Sequence, residues 1–240
     1  ILRHPTVEKI DYVEIDPAFL RTIKRFSTSL TETELNNPIV KLHYKDGRIF
    51  IRNTKDKFDV ILLGLPPPAT LQMNRFYTEE FFTLIKHVLS TDGILVLTMP
   101  GSYSYYGKAL KELNASIIET LKSASLYVFV LPGEYNIIFA SQSDRITGLS
   151  PFLLYKALVE RKIETRLITL THLDDRFEKR RQAWFSSSLE DTKIAINRDF
   201  SPMGLYYNIS YQNMLFSPSL KPLFEFVKHI NQTFLLAFIA

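Results

Sequence analysis

Leu126-Tyr-Val-Phe-Val-Leu131 and Asn136-Ile-Ile-Phe-Ala140 stand on either side of Pro132-Gly-Glu-Tyr135. Both flanks are short, apolar and rich in β-branched and aromatic side chains, the composition of strands. The four residues between them leave no room for the crossover helix that parallel strands need. The two strands are therefore expected to pair antiparallel, as a hairpin.

Upstream of that hairpin the pattern differs. Ile10-Asp-Tyr-Val-Glu-Ile15, Ile39-Val-Lys-Leu-His-Tyr44, Phe58-Asp-Val-Ile-Leu-Leu63 and Ile94-Leu-Val-Leu-Thr98 read as strands, with helical spacing between them. Asp16-Pro17 offers a cap and a first-turn proline, after which Phe19, Leu20, Ile23 and Phe26 recur at helical intervals. Thr78-Glu79-Glu80 opens another helix with two acids at its positive end; Phe81, Phe82, Ile85, Val88 and Leu89 form one face, and Asp92-Gly93 stops it. An amphipathic stretch over 104–123 leads into the hairpin. The nearly continuous apolar run 58–63 suits a strand buried on both faces of a parallel sheet. Alternating strands and helices that close on an antiparallel hairpin predict an α/β fold with a Rossmann-like, methyltransferase-type sheet; an ordinary dinucleotide-binding domain keeps its sheet parallel. That is an analogy of fold and carries no chemistry by itself.

Composition narrows the function classes. The 240 residues are 46% hydrophobic and 22% charged, as in globular domains. The absence of cysteine excludes disulfides, a cysteine nucleophile and thiolate metal sites. With 29 Lys+Arg against 25 Asp+Glu the net charge is only +4, and no Lys/Arg block is interleaved with aromatics, so nucleic acid is not an expected partner. His4, His43, His87, His172 and His229 show no metal-ligand spacing. Neither a Gly-x-Ser-x-Gly elbow nor a phosphate loop is present. Three triplets, at Asn114, Asn208 and Asn231, match glycosylation sequons, which matter only in a translocated domain.

Beyond about residue 144 the character changes. Ser150-Pro151 starts a helix through Lys162, Leu173 to Leu189 reads as one charged helix with a solvated face, and 197–221 reads as irregular. The expected organisation is a domain over 1–144, a mostly helical or irregular extension over 145–228, and an apolar end over 229–240. The run Phe234-Leu-Leu-Ala-Phe-Ile-Ala240 is either the last turn of a packed helix or the start of a transmembrane helix, since a span needs about 20 apolar residues.

Several ordered blocks resemble the spermidine synthase-like polyamine aminopropyltransferases. They are Val13-Glu-Ile-Asp-Pro17, Asp46-Gly47-Arg48, Phe58-Asp-Val-Ile-Leu-Leu63 before a proline-rich loop, Phe76-Tyr-Thr-Glu-Glu-Phe-Phe82 and Asp92-Gly-Ile-Leu-Val96. Asn197-Arg-Asp-Phe-Ser-Pro202 followed by Tyr206-Tyr207 and an apolar end resembles the membrane-attached branch of that family, which favours the transmembrane reading of 234–240. The resemblance implies a membrane-associated protein, attached through segments outside this chain, with this domain on the cytoplasmic side. It also implies homodimerisation, which family members often show.

The family transfers an aminopropyl group from decarboxylated S-adenosylmethionine to a polyamine amine, and a carboxylate beside the attacking nitrogen serves as base or electrostatic partner. By motif, Glu14 matches the acid that accepts both ribose hydroxyls; otherwise it is a solvated strand-end acid. Asp46, with the backbone at Gly47, matches the position that takes the adenine amino group; otherwise Asp46-Gly47 is plain turn chemistry. Asp16 reads as a helix cap and Asp59 as a structural hydrogen-bonding residue. The family's glycine-rich turn after its first strand is absent, as no glycine precedes Gly47. The resemblance therefore implies that the first strand and part of the donor pocket lie before Ile1.

The catalytic loop departs from the family. Gly64-Leu65-Pro66-Pro67-Pro68 places Gly64 where the base Asp belongs and Pro67 where a second Asp belongs. Glu79, Glu80 and the tyrosines Tyr77, Tyr103, Tyr105 and Tyr106 are the nearby polar residues, better suited to helix start and packing than to replacing a base. Three readings follow: an aminopropyltransferase-like enzyme, a non-catalytic domain that binds methylthioadenosine or a related nucleoside and serves as a scaffold for membrane helices, and an S-adenosylmethionine-dependent methyltransferase.

Overall fold

The computed structural model describes residues 1–190 and 192–216. In chain order the elements begin β1 (Ile10–Glu14), α1 (Pro17–Arg25), α2 (Ser29–Leu35), β2 (Val40–Tyr44), α3 (Gly47–Asn53), β3 (Phe58–Leu63) and α4 (Leu71–Asn74). They continue α5 (Glu79–Val88), β4 (Leu89–Pro100), α6 (Lys108–Ser123), β5 (Tyr127–Leu131) and β6 (Tyr135–Ser141). Last come α7 (Pro151–Glu160), α8 (Leu170–Arg176), α9 (Lys179–Leu189) and α10 (Met203–Phe216). Two compact units result: Ile1–Lys57 with Leu149–Asp175, and Phe58–Gly148 with Arg176–Ala240.

In the first unit β1 and β2 run parallel, Ile10 opposite Val40 and Glu14 opposite Tyr44. Caps define its helices. Asp16 accepts from the Ala18 N–H at the start of α1, with Pro17 in the first turn. Thr28 and Thr31 form a reciprocal capping box at α2. Apolar burial is sparse: Leu20 and Leu173 are the buried apolar side chains among the described residues of this unit. Of the residues that recur at helical intervals here, Leu20 is buried, whereas Phe19 and the C-cap Phe26 are exposed.

In the second unit four strands lie in the order β3-β4-β6-β5. β3 and β4 are parallel, whereas β6 is antiparallel to both β4 and β5, with Leu131 opposite Ile137 across the hairpin. The fold is thus α/β with a mixed sheet, as the hairpin required. Leu95, Leu97 and Met99 alternate along one face of β4 and are wholly buried with Ile138 and Ala140 of β6, Phe81, Phe82 and Ile85 of α5, and Leu113, Ile117 and Leu121 of α6.

Several local expectations are corrected. Among the described residues β3 lies at the edge of the four-stranded sheet, and Val60 and Leu62, which share one face of it, are 55% and 53% exposed because no element covers that face, so the strand is not buried on both faces. Asp92-Gly93 does not stop α5, which already ends at Val88; it lies inside β4, where the register with β3 shifts. Gly93 is needed there because a Cβ would stand 2.7 Å from the Phe58 carbonyl oxygen. The stretch 173–189 is two helices, α8 and α9, divided at Phe177, which leaves solvent to stack on Phe129 with ring centroids 5.7 Å apart. Within 197–221, expected to be irregular, α10 forms despite weak helix formers, because Tyr207 and Asn208 are buried.

Asn114 and Asn208 have 0% and 1% exposure, which closes both sequons in the folded chain. No helix among the described residues is long and apolar enough to cross a membrane. Phe234–Ala240 and Asn231 lie outside the described residues.

Candidate functional site

Glu14 and Asp46 stand at the carboxyl ends of adjacent parallel strands, one at the end of β1 and the other just past β2. Ligands of open α/β sheets bind at such strand ends. Glu14 is half-buried, and its Oε1 accepts from the Asp16 N–H at 2.8 Å, bracing the turn into α1. Asp46 Oδ1 accepts from Arg48 N–H at 2.9 Å and Ile49 N–H at 3.0 Å, so Asp46 caps α3 and Gly47 is its first residue. Each carboxylate thus uses one oxygen to shape backbone. A carboxylate has about four lone-pair sites, so its one backbone bond leaves Glu14 acceptor capacity.

Sequence reasoning missed a charged cluster behind these acids. Asp11, whose side chain is 5% exposed, meets Lys9 Nζ at 2.9 Å and His43 Nε2 at 2.7 Å, and Lys9 also reaches Asp56 at 2.6 Å. Burial by itself would raise the Asp11 carboxyl, but the hydrogen bonds from Lys9 and His43 outweigh it and hold the group below the usual carboxylate range. The available signal was an acid inside an otherwise apolar strand.

The proline-rich loop belongs to the second unit. A Cβ added to Gly64 would meet nothing within 4 Å. The Tyr77 hydroxyl donates to the carbonyls of Leu65 and Pro66, at 3.0 and 2.9 Å. The Pro67 carbonyl accepts from the Ala69 N–H at 2.6 Å. Tyr77 is completely buried, and that burial pushes its hydroxyl far above the ordinary tyrosine range.

The acids considered beside the loop are engaged elsewhere. Glu79 pairs with Arg198 at 2.5 Å, and Glu80 accepts from the Asp199 N–H at 3.1 Å. Asp199 in turn accepts from the Thr78 hydroxyl at 2.8 Å, and Asp59 from the Ser90 hydroxyl at 2.9 Å. Asn197 joins this arrangement: its Nδ2 donates to the Tyr77 carbonyl, its Oδ1 accepts from the Gly204 N–H, and its carbonyl accepts from the Glu79 N–H, each at 2.9 Å. The Asn197-Arg-Asp199 stretch is therefore the brace of the α5 start.

The other tyrosines divide. Tyr106 is buried; burial raises its hydroxyl to about 12 against the opposing hydrogen bond with Asn136, which also donates to Asn114. Tyr103 accepts from Arg176 and lies under the Arg181 guanidinium, while Tyr105 is 73% exposed.

A sequence model of the spermine/spermidine synthase domain matches residues 1–147. Polyamine aminopropyltransferase 1 of Hyperthermus butylicus is 30% identical over 173 residues, covering 69% of this chain and 59% of that protein. The polyamine aminopropyltransferase of Clostridium botulinum is 32% identical over 156 residues, covering 62% of this chain and 54% of its own length. The chain thus spans little more than half the length of these curated relatives. Among solved structures, a spermidine synthase in complex with the transition-state analogue AdoDATO superimposes with a TM-score of 0.61 at 20% identity, covering 78% of this chain and 63% of the other. The spermidine synthase of Thermotoga maritima gives 0.57 at 19% identity, with coverages of 78% and 62%. At these identities the structural likeness establishes the fold alone.

Proposed function

The chain belongs to the spermine/spermidine synthase family, and from that premise we propose that it forms part of a protein that binds decarboxylated S-adenosylmethionine, methylthioadenosine or a close analogue through Glu14 and Asp46. Glu14 accepts the ribose hydroxyls, and Asp46, with the backbone at Gly47, takes the adenine edge. One observation supports this most: both acids sit at the carboxyl ends of paired parallel strands, where ligands of open α/β sheets bind, and Glu14 keeps acceptor capacity beyond its one backbone bond. The apolar β3 at a sheet edge supports a further strand, with the family's glycine-rich turn, supplied from outside these 240 residues.

In that protein a polyamine amine attacks the methylene beside the sulfonium, the C–S bond breaks to release methylthioadenosine, and the alkylated nitrogen gives up its proton to water; the chain contributes orientation of the donor. Gly64 cannot take or hold a proton, so aminopropyl transfer runs slowly; losing a positioned base lowers a rate by about 10²–10⁴-fold. Gly64 equally favours a second reading, a nucleoside-binding scaffold without turnover. Attachment to a membrane, with this domain on its cytoplasmic side, and a homodimer are parts of the proposal supported by the family resemblance.

Calorimetry with methylthioadenosine on the longer protein, followed by turnover with putrescine, tests the assignment. Glu14→Ala is expected to weaken nucleoside binding at least tenfold. Turnover that survives Glu14→Ala undiminished would remove the ribose contact from consideration.

A further inference from the structure

Asp46 can select an adenine edge only if the turn that carries it is held in one place. The helix that follows it, α3, is seven residues long and none of its side chains is fully buried. So short a helix is marginal in water, and contacts from outside must fix it. Phe50 makes such a contact. Its N–H donates to the Asp46 carbonyl at 2.9 Å, and its ring packs on the His43 imidazole of β2, with centroids 4.8 Å apart and planes tilted by 47°.

The imidazole is itself held. His43 lies opposite Val13, so it shares a sheet face with Asp11, two residues earlier on β1. His43 Nε2 stands 2.7 Å from Asp11 Oδ1, on a side chain that is 5% exposed. An ionised carboxylate only accepts, so Nε2 carries the proton and donates, in the neutral and the charged imidazole alike. Lys9 Nζ binds the other Asp11 oxygen at 2.9 Å and reaches Asp56, three residues beyond α3, at 2.6 Å. Contacts therefore run without a break from Asp56 through Lys9, Asp11 and His43 to Phe50, whose backbone bonds Asp46.

We propose that His43 is a positioning residue for adenine recognition: oriented by Asp11, it seats Phe50 and so sets where the Asp46 carboxylate stands. The proposal rests on the adenine reading of Asp46 and deepens it, by naming what makes the site choose a 6-amino purine over a 6-oxo purine. A carboxylate in the right place accepts from the amino group and leaves the oxo group, an acceptor, without a donor. His43 touches no nucleoside in this scheme; it acts through the backbone of α3.

Calorimetric titration of the longer protein with methylthioadenosine and with methylthioinosine tests it. The native protein should prefer the adenosine compound by about tenfold or more. His43→Ala should reduce that preference to within about threefold, and the Arg48 and Ile49 amides, which Asp46 caps, should exchange faster. A histidine with a structural role alone would weaken both nucleosides alike, so a native preference kept in His43→Ala overturns the proposal. Should that protein not fold, Phe50→Leu keeps apolar bulk and removes the ring; a lost preference there supports the proposal, and a native one overturns it. Asp46→Ala separates the two levels. A native protein without preference, or a preference that survives Asp46→Ala, strikes the adenine reading and the proposal with it. A preference lost in Asp46→Ala but kept in His43→Ala removes the role of His43 alone.

Discussion

In the second unit α5 and α6 press Phe81, Phe82, Ile85, Leu113, Ile117 and Leu121 against the buried face of β4 and β6, whereas the first unit buries Leu20 and Leu173 and relies on caps and ion pairs. Each fully buried large apolar side chain stabilises by about 1.5–3 kcal/mol, and an exposed ion pair such as Lys9–Asp56 by about 0–1 kcal/mol. The second unit therefore holds the greater share of the stability. The chemistry divides the other way. The first unit carries the acids assigned to the nucleoside, and the second carries a loop from which the family's acids are gone. A rigid apolar body can hold a loop without charges; a polar unit can present carboxylates because its turns already depend on them.

That contrast can be broken or sharpened by experiment. The largest effect is expected from Gly64→Asp, which should raise aminopropyl transfer in the longer protein by about 10²–10⁴-fold; an unchanged rate would locate the defect outside the loop. Next, Phe82→Ala should lower global stability by about 3–5 kcal/mol, seen as an earlier denaturant midpoint. Leu20→Ala should instead speed amide exchange within residues 10–57 while β4 and α6 stay protected; equal loss in both regions would contradict the division.

A smaller effect follows from Asp11. Its carboxyl lies below the ordinary value in the folded chain, so it adds stability above the unfolded value near 3.8, which is lost as pH falls through the folded one. Asp11→Asn should destabilise by roughly 1.5–3 kcal/mol at pH 7 and by much less near pH 2, read by denaturation at both pH values. Smallest is Asp46→Ala, expected to lower stability by about 0.5–2 kcal/mol through the cap of α3. Asp46→Asn should keep most of that cap; if it also keeps nucleoside binding intact, the adenine role loses its support.

Much of this was legible in the residues because the signals are local. Pro132-Gly-Glu-Tyr135 is too short for a crossover, and that alone forces the antiparallel hairpin. Asp16-Pro17 and Thr78-Glu79-Glu80 begin helices where read. The helix of 203–216 was missed because its residues have poor intrinsic helix propensity, and burial of Tyr207 and Asn208 outweighs that preference. The edge position of β3 was missed because an apolar run looks the same whether one neighbour or two flank it. Of the candidate site, Glu14, Asp46 and Gly64 were visible through motif order. The partners that constrain them were not: Tyr77 meets the loop through main-chain carbonyls, which leave no mark on residue identity.

By itself the chain of residues determined the alternation of strands and helices, the hairpin, the family and the loss of acids at the loop, since each depends on residue type and short spacing. Only the tertiary structure decided that the body divides into an apolar unit and a polar one, that Asn197 through Asp199 brace the start of α5, and that the loop's carbonyls face inward. Those facts arise from contacts between residues far apart in the chain, such as Asn197 with Tyr77, whose geometry is set by packing rather than by local propensity.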